Sequence, residues 1–282
     1  MIDLHTHTNE SDGTYSPFEL VDAAVDLRLE ALAISDHDTL AGYDRALLRA
    51  REKGLDLVCG IELSTKFNGK TVHLLGYFLQ EPPTDGFRAW LAEMQATRRD
   101  RNLRLAERLR SLGIDVRIEE VERKGRSLTG RPHFAQFMLE KGYVSTIQQA
   151  FDDYLDESAK GYVDRQEPDM KHAIERIAAA GGISSIAHPV RMDYRDPKKM
   201  RAIVAELRNA GLTALEVYHS DHRPTDVKQY LGLAQEFDLG VTGGSDFHGD
   251  VKPGIRLGTG AGNLNIPLSV LAQLREIRPL VS

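Results

Sequence analysis

The sequence contains a single cysteine, Cys59, among its 282 residues. One cysteine cannot form an internal disulfide, and it excludes a zinc module built from several cysteines. No stretch approaches the roughly 18 consecutive apolar residues that span a bilayer. The opening Met-Ile-Asp-Leu-His-Thr-His lacks the basic and apolar regions of a secretory signal. We therefore expect a soluble cytoplasmic protein that does not associate with membranes.

The sequence also lacks a strong excess of either charge, since 36 Lys and Arg face 42 Asp and Glu, for a net charge of −6. This mild acidity argues against a protein that coats nucleic acid non-specifically. Apolar residues make up 41% and charged residues 28% of the chain. Such a composition is typical of globular proteins and excludes disorder as the dominant state.

Short apolar runs alternate with amphipathic segments at both ends of the chain, which is the pattern of parallel βαβ units. Seven predicted strands favour an α/β fold in which the sheet closes into a barrel. The predicted strands are Ile2–His5, Ala31–Ser35, Leu57–Glu62, Val72–Tyr77, Ile183–Ala187, Ala214–Val217 and Leu239–Gly243. The predicted helices between them are Pro17–Leu27, Gly42–Lys53, Met170–Ala180, Met200–Ala210 and Thr225–Phe237.

The alternation stops after the pair Pro82-Pro83 and resumes at about residue 168. Helical periodicity in between predicts one long helix, Phe87–Leu112, and two shorter ones, Pro132–Gly142 and Thr146–Glu157. We predict an inserted helical cap over residues 82–168 and a barrel formed by residues 1–81 and 169–282. Residues 98–131 hold eleven Lys and Arg against six Asp and Glu, a local +5 that leaves −11 for the rest. The alternative for this basic segment is a solvated helix face.

Nine histidine and carboxylate residues fall at or near the ends of the predicted strands, on the face that carries the active site in parallel barrels. A single strand-end histidine is often a hydrogen-bonded structural residue. Nine such groups together would be costly to bury without cations, and imidazole and carboxylate ligands without thiolate suit Zn, Mn or Fe. We predict a multinuclear metal site at His5, His7, Asp12, His37, Glu62, His73, His188, Asp246 and His248.

The charge of such a site indicates its substrate class. Asp12, Glu62 and Asp246 would supply three negative charges, against about six positive charges from three divalent ions. A positive centre favours a dianionic ligand such as phosphate. Closely spaced metal ions also generate a hydroxide nucleophile and stabilise the attacking and leaving oxygens of phosphoryl transfer. The sequence therefore predicts a metal-dependent phosphoesterase.

Motifs between residues 5 and 248 resemble those of the PHP family of metal-dependent phosphoesterases. The segment Gly130-Arg131-Pro132-His133, within the helical insertion, resembles the TrpH-type branch of that family. The resemblance implies a distorted seven-stranded (β/α)7 barrel of the PHP type with a helical cap. The motifs are His5-x-His7, Ser35-Asp36-His37-Asp38, Glu62, His73, Ala187-His188-Pro189 and Ser245-Asp246-x-His248.

The resemblance also implies two to three divalent metal ions, which are Mn, Zn or Fe. Branch members include phosphatases that remove the 3′-phosphate of nucleoside 3′,5′-bisphosphates, and some trim short RNA from its 5′ end. Carried over by position, one ion would bind His5, His7, Glu62 and Asp246; a second would share Glu62 and bind His73 and His188; a third would bind Asp12, His37 and His248.

Three further residues are candidates for catalysis and substrate binding. Arg131 is expected to bind a phosphate bidentately, and His133 to donate to another phosphate oxygen. The alternative is that Arg131 caps a neighbouring carbonyl and Pro132 merely starts a helix. His219 follows the sixth predicted strand, where it would contact the substrate or protonate the leaving alkoxide.

Other polar residues near the motifs are expected to play supporting roles. Asp36 and Asp38 are expected to orient His37 or neighbouring ligands. His222 is expected to lie behind the ligands or at the surface, and His172 to be an exposed helix residue.

Three alternative functions remain open at the level of sequence. A histidinol-phosphate phosphatase would use a similar barrel, and a PHP module can also be structural and non-catalytic. Amidohydrolase barrels also begin with His-x-His, but they usually bridge two metals with a modified lysine, and no lysine lies at a suitable strand end here. We expect a small phosphorylated substrate, a nucleotide or a short oligonucleotide, and no stable protein partner is evident.

Overall fold

In the computed structural model, which describes residues 1–192 and 196–279, a seven-stranded sheet curves until its first and last strands meet. Beyond the last strand, the Asp246 amide donates to the His5 carbonyl at 2.8 Å, and the His7 amide donates to the Phe247 carbonyl at 2.9 Å. The strand order follows the chain: β1 Ile2–Thr6, β2 Ala31–Ile34, β3 Asp56–Phe67, β4 Lys70–Phe78, β5 Ile183–Ile186, β6 Ala214–His219 and β7 Gly240–Gly244.

The expectation of a purely parallel barrel is wrong at β4, which runs antiparallel to both β3 and β5. The remaining neighbours pair in parallel. The cause is the two-residue loop Asn68-Gly69, in which both residues have positive φ angles of 50° and 78°. This is the conformation of a tight hairpin turn, and so short a loop can join only antiparallel strands. The predicted α/β barrel is thus confirmed as a mixed sheet.

A glycine permits the close approach of the first and last strands. A Cβ atom on Gly244 would lie only 2.2 Å from the backbone nitrogen of His5. No side chain can occupy that space, so any substitution would push β7 away from β1. Because His5 lies on β1, Gly244 also fixes the position of a predicted metal ligand.

Helices cover the outside of the sheet, largely where the sequence predicts them. Ser16 and Glu19 form a capping box with Pro17 at the first turn, and a left-handed Gly54 ends the second helix. Nowhere in the described part of the chain does a helix have the length and hydrophobicity for a bilayer crossing. These helices are α1 Pro17–Asp26, α2 Ala41–Lys53, α7 Met170–Ala179, α8 Pro197–Asn209, α9 Pro224–Glu236 and α10 Leu268–Glu276.

Four helices form the insertion between β4 and α7. The single helix expected over Thr146–Glu157 is instead a short helix that continues as a π-helical turn over Phe151–Leu155. That turn shifts the hydrogen-bonding register by one residue. The four helices are α3 Asp85–Ser111, α4 Ile118–Glu122, α5 Arg131–Glu140 and α6 Ile147–Ala150.

Helix α3 joins the insertion to the barrel, because its two halves pack into different cores. Phe87 and Met94, in its first half, belong to the barrel core. Leu105 and Leu109, in its second half, pack with Phe134 in a separate core of the insertion. Packing therefore passes from the barrel core to the cap core within α3. The domain boundary at residue 82 stays a prediction.

Candidate metal centre

The carboxylate of Glu62 lies at the centre of the histidine cluster and is almost fully buried. Its Oε2 atom is 3.1 Å from His7 Nε2 and 3.3 Å from His5 Nε2. The same oxygen is 3.3 Å from Nδ1 of His37, which follows β2. One carboxylate oxygen therefore faces three imidazole nitrogens from two strand ends.

The other oxygen of Glu62 faces a different pair of histidines. Its Oε1 atom lies 2.9 Å from His73 Nδ1 and 2.9 Å from His188 Nε2. His73 is near the start of β4, which lies at this edge of the sheet because β4 is antiparallel. A carboxylate whose two oxygens face separate donor sets has the geometry of a bridge between two cations.

Two aspartates complete the cluster. Asp246 Oδ1 is 3.4 Å from both His7 Nε2 and His248 Nδ1. Asp12 Oδ1 is 3.4 Å from His248 Nε2, and its Oδ2 is 3.7 Å from His37 Nε2. The structure thus brings all nine predicted metal residues into one continuous cluster.

The donor atoms of the cluster fit metal ions. Buried ring nitrogens of His5, His7 and His37 have no hydrogen-bond partner within the described residues. Two ligands bound at about 2.1 Å to one ion lie roughly 3.0–3.4 Å apart, close to the separations found here. Four sets of ligand atoms lie within 4.8 Å of one another: His5, His7, Glu62 and Asp246; His7, Asp12, His37 and His248; His37, Glu62 and His73; and His5, Glu216 and His219.

The cluster keeps its central carboxylate ionised. Burial raises the pKa of Glu62, but its interactions with the surrounding histidines outweigh burial and leave that pKa well below its usual range. The imidazoles divide between two states. Burial lowers the pKa of His37 to about 3, whereas the nearby carboxylates of Asp246 and Glu62 overcome burial and raise the pKa of His7 to about 9. Protons on histidines such as His7 therefore balance part of the negative charge of the cluster. Metal ions would displace these protons on binding.

Glu216 on β6 is a functional residue that the sequence interpretation missed. Its Oε1 lies 2.8 Å from His5 Nδ1, and its Oε2 accepts a hydrogen bond of 2.5 Å from the His188 amide. The contact to Nδ1 leaves Nε2 of His5 as the free ligand atom. A glutamate in an otherwise apolar strand, Ala214–Val217, is the sequence signal that could have found it.

Asp36 positions a loop rather than the ring of His37. It accepts hydrogen bonds from the Thr8 amide at 2.7 Å, the Thr8 hydroxyl at 2.6 Å and the Ser11 hydroxyl at 2.6 Å. These contacts fix the turn after β1. Because Asp12 lies in that turn, Asp36 supports a predicted metal ligand from behind.

Asp38, which was expected to orient His37 or neighbouring ligands, joins the barrel to the cap. Its carboxylate pairs with Arg98 of α3 and, at 2.9 Å, with Arg165, and it accepts a 2.8 Å hydrogen bond from the Ser64 amide. Burial opposes its ionisation, but the two arginines hold the pKa of Asp38 well below its usual range. One carboxylate thus compensates two buried guanidinium groups.

An Asp38→Asn substitution is expected to destabilise the protein by about 3–5 kcal/mol, because it removes the carboxylate that contacts both Arg98 and Arg165 and leaves Arg165 with the more distant Glu167, at 4.0 Å. The measurement is urea unfolding of the metal-free protein. Asp44→Asn is the matched control, since Asp44 pairs with Arg88 at the surface, where such a pair contributes about 1 kcal/mol or less. Equal effects of the two substitutions would contradict the structural role of Asp38.

A cavity of about 410 Å³ separates the cluster from the cap. Asp12, His37, His73 and His248 line its barrel side. Arg191 and Lys252 stand at its edge, where both contact Asp246 Oδ2, at 3.0 and 2.9 Å. The cap side carries four arginines, which we call the arginine cluster: Arg98, Arg101, Arg131 and Arg165.

The two substrate-binding candidates of the cap both line this cavity. Arg131 also donates a 3.2 Å hydrogen bond to the Leu155 carbonyl, and Pro132 starts α5, as the alternative interpretation expected. His133 accepts a 3.0 Å hydrogen bond from the Gly130 amide through Nδ1. The structure therefore places both side chains beside the cavity, and their contacts with substrate stay predictions.

His219 is buried at the base of the cluster rather than on the cavity wall. Its Nε2 lies 3.5 Å from Asp246 Oδ2, and within residues 1–192 and 196–279 it is not among the cavity-lining residues. Its role in substrate binding stays a prediction. His222 is buried behind His219, with Nδ1 2.8 Å from the Val217 carbonyl. His172 is exposed, as expected.

A curved seven-stranded sheet with a histidine and carboxylate cluster at its rim, facing a helical cap, defines a metal-dependent hydrolase. The PHP domain family matches residues 3–210. The chain belongs to this family, and the protein is a metal-dependent phosphoesterase.

Three relatives span nearly the whole chain. The 5′-3′ exoribonuclease of Haemophilus influenzae is 34% identical over 246 residues, 87% of this chain and 89% of that protein. The 3′,5′-nucleoside bisphosphate phosphatase of Chromobacterium violaceum is 29% identical over 259 residues, 91% of this chain and 90% of that protein. A crystal structure from Bifidobacterium adolescentis, assigned as a metal-dependent phosphoesterase, superposes with a TM-score of 0.84 at 32% identity, covering 98% of this chain and 96% of that one.

Proposed function

We propose that the protein removes the 3′-phosphate of nucleoside 3′,5′-bisphosphates and also hydrolyses short 5′-phosphorylated RNA. Two to three divalent ions, Mn, Zn or Fe, would be held by the nine clustered residues. The main support for this proposal is a cavity whose two ends would both attract negatively charged groups of a ligand. One end is the metal centre, and the other is the arginine cluster.

The arginine cluster has too few carboxylates for its charge. Arg98 and Arg165 share Asp38, whereas Arg101 is only 4% exposed and its Nε has no hydrogen-bond partner in the described chain. Burial and the nearby cations Arg98 and Arg131 lower the pKa of Arg101 to about 9. An arginine does not lose its proton in a protein. The shift reflects the crowding of buried positive charge around Arg101, which a bound phosphate would compensate.

The wall between the two charged ends suits a nucleoside. Leu128, Ile147, Phe151 and Val163 line the cavity together with Tyr162. Aromatic and aliphatic side chains of this kind pack against the faces of nucleobases. The volume of about 410 Å³ lies within the roughly 300–1,000 Å³ range of small-molecule sites.

Divalent ions bound at the cluster would activate water and stabilise charge on the phosphoryl oxygens. The chain itself would position the substrate. Arg101 and Arg131 would hold the 5′-phosphate, which brings the 3′-phosphate to the opposite end of the cavity. Arg191 and Lys252 are held by Asp246 Oδ2 at the cavity edge, where they would neutralise oxygens of the reacting phosphate.

The same charges disfavour histidinol phosphate as the substrate. That molecule carries a single phosphate, which the metal centre would occupy. Its cationic amine would then face the arginine cluster, and like charges repel at short range. A nucleoside bisphosphate presents an anion to both ends of the cavity instead.

With Mn²⁺ added, we expect kcat/KM for phosphate release from adenosine 3′,5′-bisphosphate to exceed that from adenosine 3′-monophosphate by at least about tenfold. One added charge-assisted hydrogen bond contributes about 1.5–3 kcal/mol. Both substrates carry the 3′-phosphate that is removed, and only the bisphosphate also carries a 5′-phosphate. Histidinol phosphate is assayed alongside, and a preference for it, or equal rates on the two adenosine compounds, would contradict the proposal.

A further inference from the structure

A second cavity of about 450 Å³ lies on the other side of Arg98 and Leu128, two residues that line both cavities. It is bounded by α3, through Gln95, Arg99 and Asn102, and by residues 125–129 of the 123–130 loop. The proposed mononucleotide reaction makes no use of it. Its volume is nevertheless sufficient for a ligand of nucleotide size.

Polar groups of the second cavity lack partners. Asn102 is 2% exposed; its Nδ2 donates a 2.8 Å hydrogen bond to the Thr129 carbonyl, and its Oδ1 has no partner among the described residues. The Nε of Arg98, which is also buried, has none either. A buried polar atom without a hydrogen-bond partner destabilises the protein. A polar ligand in the cavity would supply the missing partners.

The second cavity also carries positive charge. Arg99 and Arg126 both line it and are both exposed to solvent. Arg99 pairs with Glu122 at 3.0 Å and Arg98 with Asp38, so Arg126 supplies the remaining positive charge of the lining. A ligand with regularly spaced negative charge would match this lining.

The wall of the second cavity contacts the turn that carries a predicted metal ligand. In the 123–130 loop, the Arg126 amide donates to the Asn9 carbonyl at 3.3 Å, and the Ser127 hydroxyl donates to the Glu10 carboxylate. Glu10 lies two residues before the predicted ligand Asp12. The second cavity and the metal centre are therefore neighbours in the fold.

We propose that the second cavity binds the nucleotide that follows the scissile phosphate in a single-stranded oligonucleotide. Arg99 and Arg126 would contact its backbone phosphates, and Asn102 would hydrogen-bond to its sugar or base. This inference rests on the proposed function, because the 5′-terminal nucleotide must occupy the first cavity. It extends the binding site along the outside of α3.

The test compares the double variant Arg99→Ala/Arg126→Ala with Arg117→Ala/Arg123→Ala, which removes two exposed arginines of the cap outside both cavities of the described chain. With a 5′-phosphorylated RNA pentamer, we expect KM to rise about tenfold in the first variant and less than twofold in the control. For adenosine 3′,5′-bisphosphate, both variants are expected to match the wild type within about twofold.

Binding is measured separately, by fluorescence anisotropy of a labelled pentamer in EDTA, which prevents cleavage. The slope of log Kd against log salt is expected to become shallower by about 1.4 in the first variant, since each lost phosphate contact contributes about 0.7 for single strands. Equal losses on pentamer and bisphosphate, or no loss on either, would overturn the second site. A wild type that binds the pentamer in EDTA but cleaves no nucleotide would instead refute the proposed function.

Discussion

A Glu62→Gln variant is expected to lose at least about three orders of magnitude in kcat/KM and to retain less metal than the wild type. The amide has one oxygen and one donor nitrogen, so it cannot present an acceptor to both sets of histidines. Its NH₂ group would point at His7 and His37, or at His73 and His188. Since even residues that support metal ligands cost about 10–100-fold when removed, the loss of the bridging carboxylate must exceed that range.

The experiment measures phosphate release in added Mn²⁺ and metal content by elemental analysis after dialysis. Glu52→Gln is the matched control, because Glu52 is exposed on α2 and contacts only Arg49 among the described side chains. The control is expected to keep wild-type activity and metal content. If Glu62→Gln kept full metal occupancy and activity within tenfold of the wild type, Glu62 would not bridge the ions.

The composition of the cluster could be predicted from the sequence because parallel strands end at one edge of a sheet. That rule brings His5, His37, His188 and Asp246 together without any knowledge of packing. His73 also lies at this edge, but the rule does not explain why. Because β4 is antiparallel to its neighbours, its N-terminal end lies at this edge, and His73 is near that end. The pair Asn68-Gly69 is the sequence signal for that hairpin.

The groups behind the cluster could not be predicted because they depend on contacts between distant segments. Asp38 meets Arg98 and Arg165 only when the cap folds onto the barrel. The backbone conformation at two ligands could not be predicted from the sequence either. His188 and Asp246 have positive φ angles of 27° and 57°. Such conformations cost about 1–3 kcal/mol each and persist at functional sites because the surrounding structure imposes them.

An Arg101→Met variant is expected to raise KM for adenosine 3′,5′-bisphosphate about 10- to 100-fold, which corresponds to a charge-assisted hydrogen bond of about 1.5–3 kcal/mol. For adenosine 3′-monophosphate, which lacks the 5′-phosphate, KM is expected to change less than threefold. Steady-state kinetics in Mn²⁺ measures both. Arg108→Met on the same helix is the control, because Arg108 is exposed and bonds the Lys160 carbonyl.

Stability distinguishes substrate binding from a structural role for Arg101. The side chain is buried beside three other arginines, and its Nε lacks a partner in the described chain. Replacing an uncompensated buried cation with a hydrophobic residue of similar length is neutral or stabilising. We therefore expect the melting temperature of the metal-free variant to equal or exceed that of the wild type, while stabilisation by added bisphosphate decreases. A lower melting temperature with equal KM increases on both substrates would show that Arg101 maintains the fold, and the second phosphate would then need another binding partner.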